Sequence, residues 1–174
     1  MNWYVFRPVS NMGIATCRDI KARYGVECFV TGKRKHYQEC FGRIVRVNRF
    51  AIHSYVFVRA DKSTFSQITR DIVKIVPVLR VCEDVAEPLT VPDKVMTDFI
   101  RVAEFLGKEV DYFDPNKLDF KRGYRVRVTG GPLEGIEGIF LQIGGRHEKR
   151  VVIPVENLIA VATGSISYTL VERI

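Results

Sequence analysis

No run in this chain approaches the roughly 18 uninterrupted apolar residues that a membrane-spanning helix requires, which excludes a helical membrane span. Residues 1–7 hold no apolar stretch long enough for a secretion signal, so the expected location is the cytoplasm, with no membrane partner. Cysteine is scarce. Cys17, Cys28, Cys40 and Cys82 have 10, 11 and 41 residues between them, which matches neither a zinc knuckle nor a compact disulfide framework; free, mostly buried thiols are expected. Histidine is scarcer still. His36 and His53 form no recognisable triad or metal spacing with Cys40, and His147 lies beside the Gly144-Gly145 turn. The stretch Gly130-Gly131-Pro132-Leu133-Glu134-Gly135 lacks the Gly-Lys-Ser/Thr ending of a nucleotide-binding P-loop. Asp111, Asp114 and Asp119 sit in a polar segment without the central glycine of a calcium loop, and read as solvated charge. Together these absences argue against an enzyme and imply no metal and no cofactor.

What is present suffices for a folded core: 174 residues, 47% of them hydrophobic and 27% charged. The net charge of +7 is unevenly placed. Residues 1–60 carry eleven basic and three acidic side chains, residues 61–120 eight and twelve, and residues 121–174 eight and five. The N-terminal third is therefore the electropositive end, and such a surplus favours a polyanionic partner through release of condensed counterions.

Residues 3–6 are aromatic and β-branched and read as a strand that stops at Pro8. Asn11 can cap a helix over 13–24, with Cys17, Ile20 and Tyr24 on one stripe and Gly25 ending it. A second strand is expected at 26–30, a polar excursion with Lys33, Arg34 and Lys35 at 31–42, an exposed hairpin strand at 43–49 and a clear strand at 52–58. A short helix over 63–71, capped by Ser63, places Phe65, Ile68 and Ile72 at helical spacing, and a closing strand follows at 75–82. A longer helix begins near Pro92, carries an apolar stripe from Val95 to Leu106, and meets Gly107 at its C-terminal end. Residues 108–120 have little periodicity and read as a linker. Beyond them every segment is short and β-rich, the pattern of a small barrel. The expected fold is α+β: a domain at 1–107 with an antiparallel sheet and helices, a linker at 108–120 and a β-barrel at 121–174. No internal repeat is visible.

The run from Gly123 through Val126, Val128, Gly131-Pro132 and Gly135 to Gly138 resembles a KOW motif. Taken with Trp3-Tyr4-Val5, a basic helix and Tyr55-Val56-Phe57-Val58, it resembles the NusG family of transcription elongation factors over nearly the whole chain. In detail it resembles specialised paralogues, RfaH and the antiterminators of Bacteroides capsular polysaccharide operons, more than general NusG. Where the family often has Pro-Gly-Tyr or Pro-Asn-Tyr before its Phe-Val strand, this chain has His53-Ser54-Tyr55.

Alternation puts His53, Tyr55, Phe57 and Arg59 on one strand face and Ser54, Val56 and Val58 on the other. With helices over Val56 and Val58, Tyr55 and Phe57 would form an apolar surface patch with Ile52. By resemblance, that patch and Arg7 dock on the clamp helices of bacterial RNA polymerase, while Ser66, Gln67 and Ile68 meet its gate loop and hold the cleft closed against pausing. The alternative is that the two rings are ordinary core, or are covered by the protein's own barrel. The resemblance also turns Arg18, Lys21, Arg23 and Arg70 toward non-template DNA, against the alternative of a solvated helix face. It gives the barrel a partner, a small-subunit ribosomal protein or a termination factor, near Asn157, Leu158 and Ile159, although Leu158 and Ile159 can equally be barrel core. Repeated β-branching from Val151 to Thr169 predicts a permanent barrel rather than a helical hairpin. The implied activity is elongation or antitermination by a monomer. The competing class is a KOW-type RNA-binding or ribosome-associated protein, which would carry its basic and aromatic contacts on the barrel.

Overall fold

The computed structural model describes residues 1–9, 12–31, 36–40, 43–47, 54–143 and 148–174, with the backbone alone at 36–40 and 43–47. Asn11, Lys33, Arg34, Lys35, Ile52, His53, Gly144, Gly145 and His147 lie outside the described residues. The chain divides into two compact units, Met1–Thr90 and Val91–Ile174. Its architecture is mixed α and β, as the pattern predicts, with three α-helices and several antiparallel sheets among the described residues.

The first unit contains β1 (Asn2–Pro8), α1 (Gly13–Tyr24), β2 (Glu27–Val30), β3 (His36–Cys40), β4 (Arg43–Val47), β5 (Val56–Ala60), α2 (Lys62–Asp71), β6 (Ile75–Pro77), β7 (Leu79–Cys82) and β8 (Val85–Pro88). Strands β2, β5, β1 and β6 lie side by side, each antiparallel to its neighbour. Because side chains alternate along a strand, Tyr4, Phe6, Cys28, Val56, Val58 and Ala60 share one face. That face packs with Cys17 and Ile20 of α1 and with Phe65 and Ile68 of α2 into a single apolar cluster. Tyr4 stacks on Phe65 with ring centroids 4.3 Å apart.

Two local expectations are corrected. The α2 cap is Asp61, whose carboxylate accepts the Thr64 N–H at 2.7 Å, so the helix starts one residue before Ser63. The strand expected over 75–82 breaks at Val78, whose N–H turns to the Val5 carbonyl at 2.8 Å. Beyond it, β7 leaves the sheet and pairs with β8 in a separate hairpin, turned by Glu83 (φ 47°) and Asp84 (φ 66°).

β9 (Thr90–Val91) spans the junction of the units. The second unit then holds α3 (Asp93–Leu106), β10 (Asp111–Phe113), β11 (Tyr124–Val128), β12 (Glu137–Gln142), β13 (Lys149–Val155), β14 (Ile159–Ala162) and β15 (Val171–Arg173). Six of these strands form an antiparallel sheet in the order β10-β14-β13-β12-β11-β15. Where composition suggested a linker, β10 pairs with β14, and short 3-10 turns at Pro115–Lys117 and Phe120–Arg122 lead on to β11. Helix α3 packs on β13 and β14, burying Met96, Phe99 and Val102. The compact units therefore meet at 90/91, upstream of the segment 108–120. Gly138 is required where β12 pairs with β13, since a Cβ there would lie 2.6 Å from the Val152 carbonyl oxygen.

Candidate functional site

The opposite face of the first unit's sheet is built from the odd-numbered residues of β1 and β5. Trp3, Val5 and Arg7 line up beside Tyr55, Phe57 and Arg59, with Phe29 of β2 directly across from Phe57. None of these belongs to the helix-packed cluster. The rings touch one another: Phe29 and Phe57 have centroids 6.5 Å apart, Tyr55 and Phe57 6.4 Å. Thr31 fixes Tyr55 in place, its hydroxyl accepting the Tyr55 N–H at 3.0 Å and its own N–H donating to the Tyr55 carbonyl at 3.2 Å. At one rim the exposed Arg7 guanidinium stands 6.0 Å from the Tyr55 ring centre; at the other, Arg59 and Glu27 form an ion pair of 3.0 Å. The alternation expected of β5 is thus as read. The exposure is not: Tyr55 is 3% and Phe57 0% exposed, so in this conformation the two rings form a buried layer rather than an open patch.

Helix α2 separates its three expected contact residues. Ser66 and Gln67 are exposed, and the Ser66 hydroxyl donates to the Lys62 carbonyl at 2.9 Å. Ile68 is 0% exposed and belongs to the core cluster, because the stripe Phe65-Ile68-Ile72 is the face that holds the helix to the sheet.

Of the four expected DNA-facing cations, Arg18 and Lys21 are exposed on α1. Arg23 pairs with Asp19 at 2.7 Å, and Arg70 with Asp71 at 2.9 Å. The fold brings the ends of the two helices together, with the Tyr24 hydroxyl donating to Asp71 at 3.0 Å. The Arg70 guanidinium, and then the Tyr24 hydroxyl, hold the Asp71 carboxyl below the usual carboxylate range. Lys21, Arg23 and Arg70 all lie in last helical turns, where they also suit the negative end of the helix dipole. Exposed pairs of this kind contribute at most about 1 kcal/mol, so both arginines can exchange a carboxylate for a phosphate at little cost.

In the second unit Asn157 is exposed, Leu158 is half-buried and Ile159 is 1% exposed in β14, so Ile159 is core. A separate cleft is bounded by Lys117, Asp119, Arg122, Tyr124, Phe140 and Lys149. Lys149 Nζ lies 4.2 Å from the Tyr168 ring centre, and the Arg173 guanidinium 4.9 Å from that of Tyr124. The units differ sharply in charge: residues 1–90 carry fifteen basic and eight acidic side chains, residues 91–174 twelve of each.

Sequence reasoning missed the role of α3. Its Asp98, 2% exposed, accepts the Glu137 N–H at 3.1 Å and pairs with Lys94 at 2.9 Å. Lys94 also reaches the Gly135 carbonyl at 2.9 Å, and Arg101 the Glu134 carbonyl at 3.2 Å. An acid at position 98 inside the apolar stripe Val95-Met96-Phe99 was the available signal.

No helix among the described residues is long and apolar enough to cross a membrane. No protein-family model and no curated protein matches this chain. Among solved structures, the chain is similar to one of Thermotoga maritima NusG described as showing domain interaction. The identity is 19%, with 99% of this chain and 97% of that one covered and a TM-score of 0.43. It is also similar to the MjSpt4:Spt5 complex in conformation A, at 11% identity, the same two coverages and a TM-score of 0.28. Both scores are below 0.5, and the functional reading rests on the chain's own residues.

Proposed function

We propose that this protein is a transcription elongation factor of the NusG type, a specialised antiterminator, that grips bacterial RNA polymerase through its first unit. The observation that carries this reading is the aromatic layer of Trp3, Tyr55, Phe57 and Phe29. It stands on the sheet face that the unit's helix-packed core does not use, with the exposed Arg7 at its rim. In this reading Arg7, Ile52, Tyr55 and Phe57 meet the clamp helices, and the rings must be uncovered before they dock. Ser66 and Gln67 reach the gate loop, with Ile68 anchoring them from behind. A factor that binds the closed, active cleft more tightly than the paused one shifts the equilibrium away from pausing. Arg18, Lys21, Arg23 and Arg70 lie along the non-template DNA, and the charge excess of the first unit supports that assignment. The second unit, read as a KOW barrel, recruits a small-subunit ribosomal protein or termination factor through Asn157 and Leu158, and the work is done by a monomer in the cytoplasm.

The test is co-purification of the tagged chain with RNA polymerase from a bacterial lysate. Arg7→Glu reverses an exposed charge beside Tyr55, and is expected to cut polymerase recovery about tenfold or more while leaving the unfolding curve of the first unit in place. Equal recovery by the unaltered chain and the charge-reversed variant removes this face from the mechanism. A second reading, RNA binding on the second unit, draws on the cleft with Lys117, Arg122 and Lys149 beside Tyr124 and Phe140. It requires ribosomal subunits rather than polymerase in the same pull-down, and the charge balance of that unit favours the first reading.

A further inference from the structure

We infer that the cleft on the second unit is a nucleotide-binding site, taking an aromatic base against its tyrosines and a phosphate among its cations. One wall is the segment 115–122. Leu118 and Phe120 turn inward and pack against the apolar cluster of Leu141, Val152, Ala160 and Ala162, which leaves Lys117, Asp119 and Arg122 facing solvent. The Asp114 carboxylate fixes the first turn of this wall by accepting the Asn116 N–H at 3.0 Å. The other wall is the sheet. Tyr124 of β11 stands opposite Phe140 of β12, and Gln142 opposite Lys149 of β13. Phe140 is 2% exposed and forms the floor; it meets Tyr124 and Tyr168 edge-on, with ring centroids 5.7 Å and 5.1 Å away. The Ile166 N–H, donated to the Lys149 carbonyl at 2.9 Å, ties the segment that carries Tyr168 to β13. Tyr168 itself is 55% exposed, which leaves ring surface for a stacked base.

The cleft holds about 500 Å³, within the roughly 300–1,000 Å³ of small-ligand sites. Its charged lining is Lys117, Arg122 and Lys149 against Asp119 alone, in a unit whose twelve basic and twelve acidic side chains cancel, so positive potential is concentrated there. Among the described residues Lys117 and Lys149 have no ion-pair partner. Lys149 Nζ instead lies 4.2 Å from the Tyr168 ring centre and 5.8 Å from that of Phe140. Arg122 is held by an exposed pair with Asp119 at 3.0 Å, which a phosphate can displace at little cost. A bare anion would use the cations and leave the rings unmatched, and a neutral aromatic would do the reverse. A nucleotide satisfies both, by stacking and by charge-assisted hydrogen bonds to its phosphate. Lys149, the cation that touches the rings, stands where the two halves of the ligand meet. The site does not rest on polymerase docking by the first unit, and a nucleoside phosphate is common to a free nucleotide and to single-stranded RNA.

The experiment titrates the full chain with AMP, adenosine, inorganic phosphate and hexa-adenylate RNA, and follows the amide NMR spectrum. AMP is expected to shift the amides of Lys117, Arg122, Tyr124, Gln142 and Lys149, and to bind about tenfold or more tightly than adenosine or phosphate alone. Lys149→Gln and Tyr168→Ala each weaken AMP binding by about tenfold, through the lost charge and the lost stacking surface. Asp119→Asn releases Arg122 and tightens AMP binding by about threefold, a gain that a purely structural residue would not give. Hexa-adenylate binding about tenfold or more tightly than AMP identifies an RNA strand as the source of the nucleotide; comparable binding identifies free nucleotide, and either result supports the site. Three outcomes overturn the inference: millimolar AMP leaves these amides unshifted, AMP binds no more tightly than phosphate alone, or Lys149→Gln binds AMP as well as the unaltered chain.

Discussion

Replacing Phe57 by alanine tests the buried aromatic layer directly. Phe57 is 0% exposed, lies opposite Val5 on β1 and Phe29 on β2, and has ring neighbours in Phe29 and Tyr55. Removing a fully buried phenylalanine ring costs about 3–5 kcal/mol through lost burial and the cavity left behind. That is a large part of the roughly 5–15 kcal/mol by which a domain is stable. The assay is urea unfolding followed by the fluorescence of Trp3, the only tryptophan, which is itself buried in the same layer and so reports on the first unit alone. With a denaturant slope of about 1.5 kcal/mol/M, the midpoint is expected to fall by about 2–3 M. A fall of less than about 0.5 M would mean that the ring is not packed as described, and would restore the open patch that alternation alone suggests. The size of the expected loss also makes Phe57→Ala a poor probe of partner binding, since weakened binding would then report unfolding. Arg7 is the better probe, because its cation–π contact with Tyr55 contributes only about 0.5–1 kcal/mol.

Asp98→Ala is expected to loosen the seat of α3 on the second unit by roughly 3 kcal/mol, through loss of a buried carboxylate's hydrogen bonds. The readout is hydrogen exchange at the Glu137 amide, faster by about two orders of magnitude; an unchanged rate would show that the helix does not hold that strand. If Arg18 and Lys21 each neutralise one phosphate, the double variant Arg18→Ala, Lys21→Ala lowers the slope of log K against log salt for single-stranded DNA by about 1.4, and an unchanged slope returns the helix face to solvent. For Asp71, whose carboxyl is depressed in the folded state, the contribution of the Arg70 and Tyr24 contacts is present at neutral pH and is lost as the pH falls through its lowered value. An NMR titration should find it below the ordinary carboxylate range, and Asp71→Asn should bring the Tyr24 hydroxyl, now raised first by burial and next by its bond to Asp71, back toward its usual value.

Much of this molecule could be read along the chain. Helix α1 starts at Gly13 and ends at Gly25 as periodicity and an αL-tolerant residue require, and β5 divides its side chains between two faces as a period of two demands. Each of these depends on residues within a few positions of one another. Gly138 belongs partly to this class: the motif places a glycine there, but only the pairing of β12 with β13 shows that a Cβ would strike the Val152 carbonyl. Where neighbours along the chain were too few to decide, the reading slipped. Ser63 and Asp61 are both good capping residues, and the choice fell to the one whose carboxylate reaches the Thr64 N–H.

The sequence by itself determined the three helices and the strands β1, β2 and β5, which strand face is aromatic and where positive charge accumulates, because these follow from local sterics, periodicity and composition. Only the tertiary structure decided that Tyr55 and Phe57 are buried, that Ile68 and Ile159 are core and that α3 packs with the second unit. Burial and proximity are properties of pairs of surfaces, and an apolar strip on one element does not state which distant element will cover it.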